Sequence, residues 1–559
     1  MMRNAWIVLV ALFAASTAHA AQPDADAEFV ALRNAYLAKQ KPLFLKCTAA
    51  HWEALTTGSE AALERQKATE KALLELRSDR ELFARLKALK DGDRVRDPVL
   101  RRELDVLYRR LLRAQGPPDL QERIVGLQAD VQQIFSTHRS RVGDKTLTEN
   151  EVREILRTTT DGIAAEAAWK GYTEVGRKAA GKLAELVRLR NEVAQELGYS
   201  NYFSMSLALE EIDEAELFRI FDELDQLTRE PFTRLKRQVD ADRAAHFGIS
   251  VSELRPWHFG DLFFQTLPPG NEVNLDELYR GADLPELCRR YYASLGLPVD
   301  RILANSDLYE RPDKYPHGYT INMDRQQDLR VLLNLEPNVR WADIMLHELG
   351  HCVNDRYIRP DVPYLLRGPA HALTTEGVAE LFGAMAKNEE WLTQMLKVDP
   401  AEAARVSRAA RESLRRERLI FCRWTQVMVR FEQGMYSNPE QNLGRLWWDL
   451  KKRYQLLNPP ETVERPDYAA KTHILTAPVY YHSYMLGEMF AAQVRHTIAR
   501  EVLGLTDPRQ TCFFGRPEVG AFLRERVFGP GNLYPWNEYT RRATGEPLTA
   551  RYFALDLKE

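Results

Sequence analysis

The stretch WADIMLHELGHCVNDRY, residues 341–357, sets His347 and His351 four residues apart, with Glu348 directly after the first histidine. On a helix such a pair projects from one side, one turn apart, so both imidazoles can face a single point. The H-E-x-x-H pattern suits zinc hydrolysis: two imidazoles hold Zn2+ and the carboxylate takes a proton from the attacking water. The flanks read as helix. Trp341, Ile344, Met345 and Leu349 supply apolar faces, and no breaker appears before Pro360.

A catalytic zinc needs a third protein ligand. After His351 the chain reads CVNDRY, which excludes the metzincin continuation H-x-x-G-x-x-H. The next candidate is ALTTEGVAELFGAMA, residues 372–386, a second helical run that Thr374 or Thr375 can cap. Glu376 and Glu380 lie one turn apart on it, and Glu376 follows His351 by 25 residues. If the two helices pair antiparallel, Glu376 reaches the metal as the third ligand, and Glu380 stands behind a ligating imidazole and orients it. The competing reading makes both carboxylates solvated helix residues. His371 is the rival ligand. It ranks lower because it sits in the connection between the two helices with no partner at ligand spacing.

Amide hydrolysis also needs donors for the oxyanion that forms at the scissile carbonyl. DYAAKTHILTAPVYYHSYMLGEMFAAQ, residues 467–493, offers His473 and the tyrosines 480, 481 and 484, with Lys471 as a point charge for a substrate carboxylate. The same run also reads as an aromatic helix face packed in a core. Composition alone leaves both readings open.

The surrounding elements are mostly helical. Residues 151–198, 27–57 and 402–436 carry apolar residues at three-to-four spacing. The segments GYTINM and LRVLLNL, between residues 318 and 334, predict two short strands that pair just before the motif. Breaks at 265–272, 308–318, 359–369 and 457–467 are too short and too apolar to be flexible linkers. The expected architecture is mainly α: a large elongated helical body with a deep central channel and a very small sheet beside the zinc helix. Residues 21–559 are expected to form it as one domain, in two lobes around a cleft. No glycine-rich phosphate loop occurs.

With 77 basic and 80 acidic residues, the formal charge of −3 leaves no basic stripe for nucleic acid. Five scattered cysteines form no disulfide framework. The opening MMRNAWIVLVALFAASTAHAAQP has one arginine, an apolar run and a small-x-small end at Ala18 and Ala20. It reads as a signal peptide over residues 1–20, too short for a stable membrane anchor. The mature protein is expected to be exported, periplasmic or secreted.

Taken together, HELGH at 347–351, TTEGVAE at 374–380 and AKTH…PVYYHSY at 470–484 resemble the M2 peptidases, the angiotensin-converting-enzyme family. WHFGDLFFQ at 257–265, DVPYLLRG at 361–368 and KYPHGYT, which sets His317 thirty residues before His347, agree with it. RNEVAQELGYSNYFSMSL and WNEYTRRATGEPL resemble a bacterial branch, and the family is akin in fold to the M3 oligopeptidases. The resemblance implies a zinc dipeptidyl carboxypeptidase acting on short peptides with a free C-terminus. Under it His347, His351 and Glu376 bind one Zn2+, and Glu348 is the general base and then the proton donor. His473 and Tyr484 stabilise the oxyanion, while Gln265, Lys471 and Tyr481 clasp the terminal carboxylate. His317 hydrogen-bonds the substrate backbone. The chain departs from the pattern in three places. Its tyrosines fall eight and eleven residues after His473 rather than seven and ten, which leaves Tyr480 as a rival to Tyr481 and Tyr484. The arginine that animal members carry between them, linked to chloride activation, is replaced by His482 and Ser483. Leu262 and Phe263 stand where the family has methionine and tryptophan, which implies different side-pocket preferences. The competing activities are oligoendopeptidase or single-residue carboxypeptidase cleavage. The competing class is a secreted helical binding protein with a structural zinc.

Overall fold

The computed structural model describes residues 24–270 and 274–558. The signal peptide expected over residues 1–20 lies outside them. The body is elongated and mainly α-helical, and its two sheets are two-stranded antiparallel hairpins. One joins Ser140–Val142 to Lys145–Leu147 through the two-residue turn Gly143-Asp144, a hairpin signal that sequence reasoning missed. The other joins Tyr319–Asn322 to Leu329–Leu332, with Tyr319 opposite Leu332 and Ile321 opposite Arg330. This is the hairpin expected ahead of the motif.

Residues 151–198 form two helices rather than one run, Glu149–Thr158 and Gly162–Glu196. The break has a local cause. Asp161 accepts from the Ile163 N–H at 2.9 Å and so caps a new helix. The long Pro400–Ser437 helix is started the same way, by Asp399 with Pro400 as its first residue. Its Val406, Trp424, Phe431 and Met435 are buried in the main core.

That core runs continuously from Val131 to Leu557 and includes Met345, Leu349, Phe382, Leu486 and Phe490. The motif and the segments around it are therefore seated in the body itself. A smaller apolar cluster of Phe29, Tyr36, Leu86, Leu107 and Leu111 holds the N-terminal helices together. From it the Ala25–Thr57 helix reaches the second hairpin, where the Thr48 hydroxyl donates to the Met323 carbonyl at 2.9 Å. All five cysteines are free, and all but Cys47 are buried. Among the described residues no helix is long and apolar enough to cross a membrane.

Candidate metal centre and facing wall

The motif lies on the Val339–Arg356 helix. Asn338 caps it by accepting from the Trp341 N–H at 2.9 Å. Trp341, Met345, Leu349 and Val353 are buried, as the spacing requires, and the Tyr292 hydroxyl braces the helix at the Leu346 carbonyl. The next helix, Ala372–Gly383, carries Glu376 and Glu380. It begins earlier than a Thr374 or Thr375 cap implies. His371 is the cap, its Nδ1 accepting from the Leu373 N–H at 3.0 Å, while the Thr374 hydroxyl donates to the His371 carbonyl. That role removes His371 as a rival ligand. Its Nε2 faces Glu210 at 3.4 Å, away from the metal cluster.

Among the described residues, His347, His351 and Glu376 form the group able to hold a metal ion, with one donor atom each and all within 4.8 Å. Glu376 Oε2 lies 3.7 Å from His347 Nε2 and 3.8 Å from His351 Nε2. Tetrahedral zinc with bonds of about 2.05 Å would set donors about 3.3 Å apart, and the two distances from Glu376 exceed that by a few tenths of an ångström. The chemistry fits as well. Burial holds the His351 imidazole near a pKa of about 3 and raises the Glu376 carboxyl. One neutral lone pair and one carboxylate that lacks a counter-charge are what a bound cation would use. The Thr375 hydroxyl lies 2.7 Å from His351 Nδ1, which leaves Nε2 to face the cluster. Glu380 Oε1 stands 3.6 Å from His347 Nδ1, behind that ring as expected. Burial, and then the charge of Glu488, push its carboxyl up to about 7.

Glu348 is 9% exposed. Its Oε2 accepts from the Thr320 hydroxyl at 2.7 Å, a contact supplied by the hairpin. Burial raises its carboxyl, while the Thr320 bond acts the other way.

The facing wall is brought up by the Tyr481–Thr497 helix. This helix meets the Ala372–Gly383 helix backbone to backbone. A Cβ added at Gly377 would stand 2.7 Å from the Gly487 carbonyl oxygen, and one at Gly487 would stand 3.5 Å from Glu376 Cβ. Tyr484, one turn before Gly487, is therefore carried to the metal side. It is 39% exposed, and Glu376 helps to raise its phenol. Tyr480 lies against Tyr484 with ring centroids 5.1 Å apart, and it too feels the Glu376 charge. Tyr481 meets the Tyr484 ring edge-on with centroids 5.4 Å apart and is buried against Trp424 and His473.

Lys471, 7% exposed, donates to Gln265 Oε1 at 2.8 Å across 206 residues of chain. Its Nζ also lies 5.5 Å from the Tyr481 ring centroid. The three residues expected to clasp a carboxylate are thus gathered at one buried point. Burial lowers the Lys471 ammonium to about 8, and burial with the Lys471 charge lowers His473 to about 4. His317 stands exposed, its ring against Tyr315 rather than against the cluster. Cys352 is buried on the motif helix and is not among the metal donors. Sequence reasoning missed Thr375, Thr320 and Asp261, whose carboxylate accepts from the Gln265 N–H at 2.9 Å. Thr375 had a signal, since it directly precedes Glu376. Asp261 had one too, since it lies four residues before Gln265 in the WHFGDLFFQ run, whereas Thr320 reaches Glu348 across 28 residues and had none.

The family model Peptidase_M2, described as angiotensin-converting enzyme, matches residues 24–238 and 275–553. The chain is 22% identical over 445 residues to the angiotensin-converting enzyme of Mesocricetus auratus, covering 71% of this chain and 32% of that one. It is 22% identical over 419 residues to the Mus musculus enzyme, covering 68% and 31%. It is 21% identical over 375 residues to the inactive angiotensin-converting enzyme-related protein of Caenorhabditis elegans, covering 59% and 40%. The aligned region spans about a third of the length of the mammalian relatives. The family match runs through most of the chain, and the chain belongs to the Peptidase_M2 family.

Proposed function

We propose that this member of the Peptidase_M2 family is a zinc peptidyl-dipeptidase, releasing dipeptides from short peptides with a free C-terminus. The observation that carries the reading is the buried meeting of Lys471, Gln265 and Tyr481. A buried carboxylate needs cationic and hydrogen-bonding partners or its desolvation is too costly. A continuing peptide chain brings no charge for Lys471.

His347, His351 and Glu376 would hold one Zn2+, which when bound supplies a Lewis acid for the scissile carbonyl and eases deprotonation of the attacking water. Glu348 takes the proton from that water and returns it to the leaving amine. Its carboxyl, raised by burial, suits an exchange in both directions. His473, kept neutral near pH 7, and Tyr484 donate to the oxyanion. His317, two residues before the Tyr319–Asn322 strand, hydrogen-bonds the substrate backbone, and Glu380 orients His347. The substrate runs through a central channel between the two walls.

The mammalian relatives are named as converting enzymes and the nematode one as inactive. The complete set of His347, Glu348, His351 and Glu376 supports the active reading. We infer a divergent bacterial branch from the RNEVAQELGYSNYFSMSL and WNEYTRRATGEPL runs, and kinship in fold to the M3 oligopeptidases from the family resemblance. We also infer export, periplasmic or secreted, after loss of residues 1–20. N-terminal sequencing of the cell-expressed protein tests that, and an intact Met1 refutes it.

The test of function is mass spectrometry of the products from one decapeptide, with its C-terminus free or amidated. Stepwise loss of dipeptides from the free form is expected. Equal cleavage of both forms at an internal bond would make it an endopeptidase, and loss of single residues a simpler carboxypeptidase. No phenanthroline-sensitive cleavage of any peptide would leave a helical binding protein with a structural zinc.

A further inference from the structure

Val479 has φ +55°, in the left-handed region that a β-branched residue rarely adopts. It stands two residues before Tyr481, at the turn into the helix that carries Tyr481 and Tyr484. Such a conformation persists only where the surroundings hold it. Here the holder is Glu432, on the Pro400–Ser437 helix. Its Oε1 accepts from the Val479 N–H at 2.7 Å, and the side chain is fully enclosed. The preceding turn is held from the same region. Arg190 donates to the Leu475 carbonyl at 2.8 Å and to the Tyr436 hydroxyl at 3.1 Å, and Tyr436 lies one turn beyond Glu432.

The other half of the carboxylate pocket is built alike. Phe264, directly before Gln265, has φ +53°. Asp261 accepts from the N–H groups on either side of it, Phe263 at 3.1 Å and Gln265 at 2.9 Å. Gln455 donates to the Phe264 carbonyl at 2.6 Å. At both places a strained residue lies within two residues of a pocket residue, and buried polar side chains fix the backbone.

We infer that Glu432 is a positioning residue: it pins the strained Val479 backbone and so sets Tyr481 and Tyr484 against Lys471 and the metal cluster. It touches neither substrate nor metal. This rests on the proposed roles of the two tyrosines, and the backbone part can be tested without them.

The experiment compares Glu432→Gln, Glu432→Leu, Val479→Gly and Glu432→Leu/Val479→Gly. Each is read by zinc content, by amide hydrogen exchange and by kcat/KM on a free-acid peptide. Glutamine keeps an acceptor for the Val479 N–H, so Glu432→Gln should stay within about threefold of wild type. Glu432→Leu should lose tenfold or more in kcat/KM with full zinc. Exchange should speed up over residues 475–484 but not over 347–351. Glycine adopts positive φ without strain, so Val479→Gly in the Glu432→Leu background should restore most of the activity. The inference is overturned if Glu432→Leu leaves exchange at 475–484 unchanged, if Glu432→Gln loses as much as leucine, or if Val479→Gly rescues nothing. If the wild type cleaves no peptide, the functional reading fails, and the exchange data still decide whether Glu432 holds this segment.

Discussion

The metal side of the site sits on two long helices, whereas the wall that faces it joins the short Thr472–Thr476 helix and the start of the Tyr481–Thr497 helix to irregular chain at residues 261–265 and 477–480. On the metal side, spacing does the positioning. His347 and His351 face together because they are one turn apart, and a packed second helix delivers Glu376. On the wall, position comes from long-range buried bonds such as Lys471 to Gln265 and Glu432 to Val479. Chemistry is thus carried by secondary structure, and substrate reading by tertiary structure. The two sides should fail in different ways when altered.

The largest effects belong to the metal side. Glu348→Gln should lower kcat by roughly 10²–10⁴ with zinc stoichiometry intact, because only proton transfer is lost. Glu376→Ala should lose stoichiometric zinc outright. Metal analysis beside activity separates these outcomes, and a Glu376→Ala protein that binds zinc with native affinity would mean the third ligand lies elsewhere. Next in size, Thr375→Val removes the hydroxyl from His351 Nδ1 and should weaken metal binding about 10- to 100-fold, measured by chelator competition. Its preference for free over amidated C-termini should not move. A changed preference would mean that the two sides are coupled more tightly than their construction implies.

This contrast also explains what could be read from the sequence. The pairing of His347 with His351, the place of Glu348 beside them and the hairpin at 319–332 follow from local periodicity, which a single sequence displays, and Glu376 is the acid of the next helical run. The helix start falls at His371 and not at Thr374 or Thr375, because a histidine cap carries no fixed pattern although its Nδ1 serves as well as a hydroxyl. The break at 159–161 was passed over because the Asp161 cap lies inside an otherwise helical composition. Lys471 and Tyr481 stand out in their own segment, but Gln265 and its meeting with them come only through family resemblance, since nothing local joins groups 206 residues apart. Asp261 lies in the loop run 257–265 without showing its role, and Glu432 sits on the long Pro400–Ser437 helix. An acid in a helical run looks solvated until its burial is known.

A smaller, graded effect belongs to the wall. The Lys471 ammonium, lowered by burial to about 8, must be protonated to attract a carboxylate. On free-acid peptides kcat/KM should therefore be full below that pH. It should fall as pH rises through about 8, approaching tenfold per unit. Lys471→Arg keeps its charge throughout and should remove that limb. A wild-type profile flat to about pH 10, near the ordinary lysine range, would detach Lys471 from substrate binding.

The most direct test is the ratio of kcat/KM for one peptide with a free C-terminus to that for its amide, in wild type and in Lys471→Met. Losing a charged partner at a buried site costs roughly 2–5 kcal/mol, which corresponds to about 30-fold to a few thousand-fold. The wild-type ratio should reach at least the lower end of that range, and in Lys471→Met, with zinc still bound, it should collapse toward one. A wild-type ratio near one, or a large ratio that survives loss of Lys471, would contradict the assignment of this wall to the terminal carboxylate.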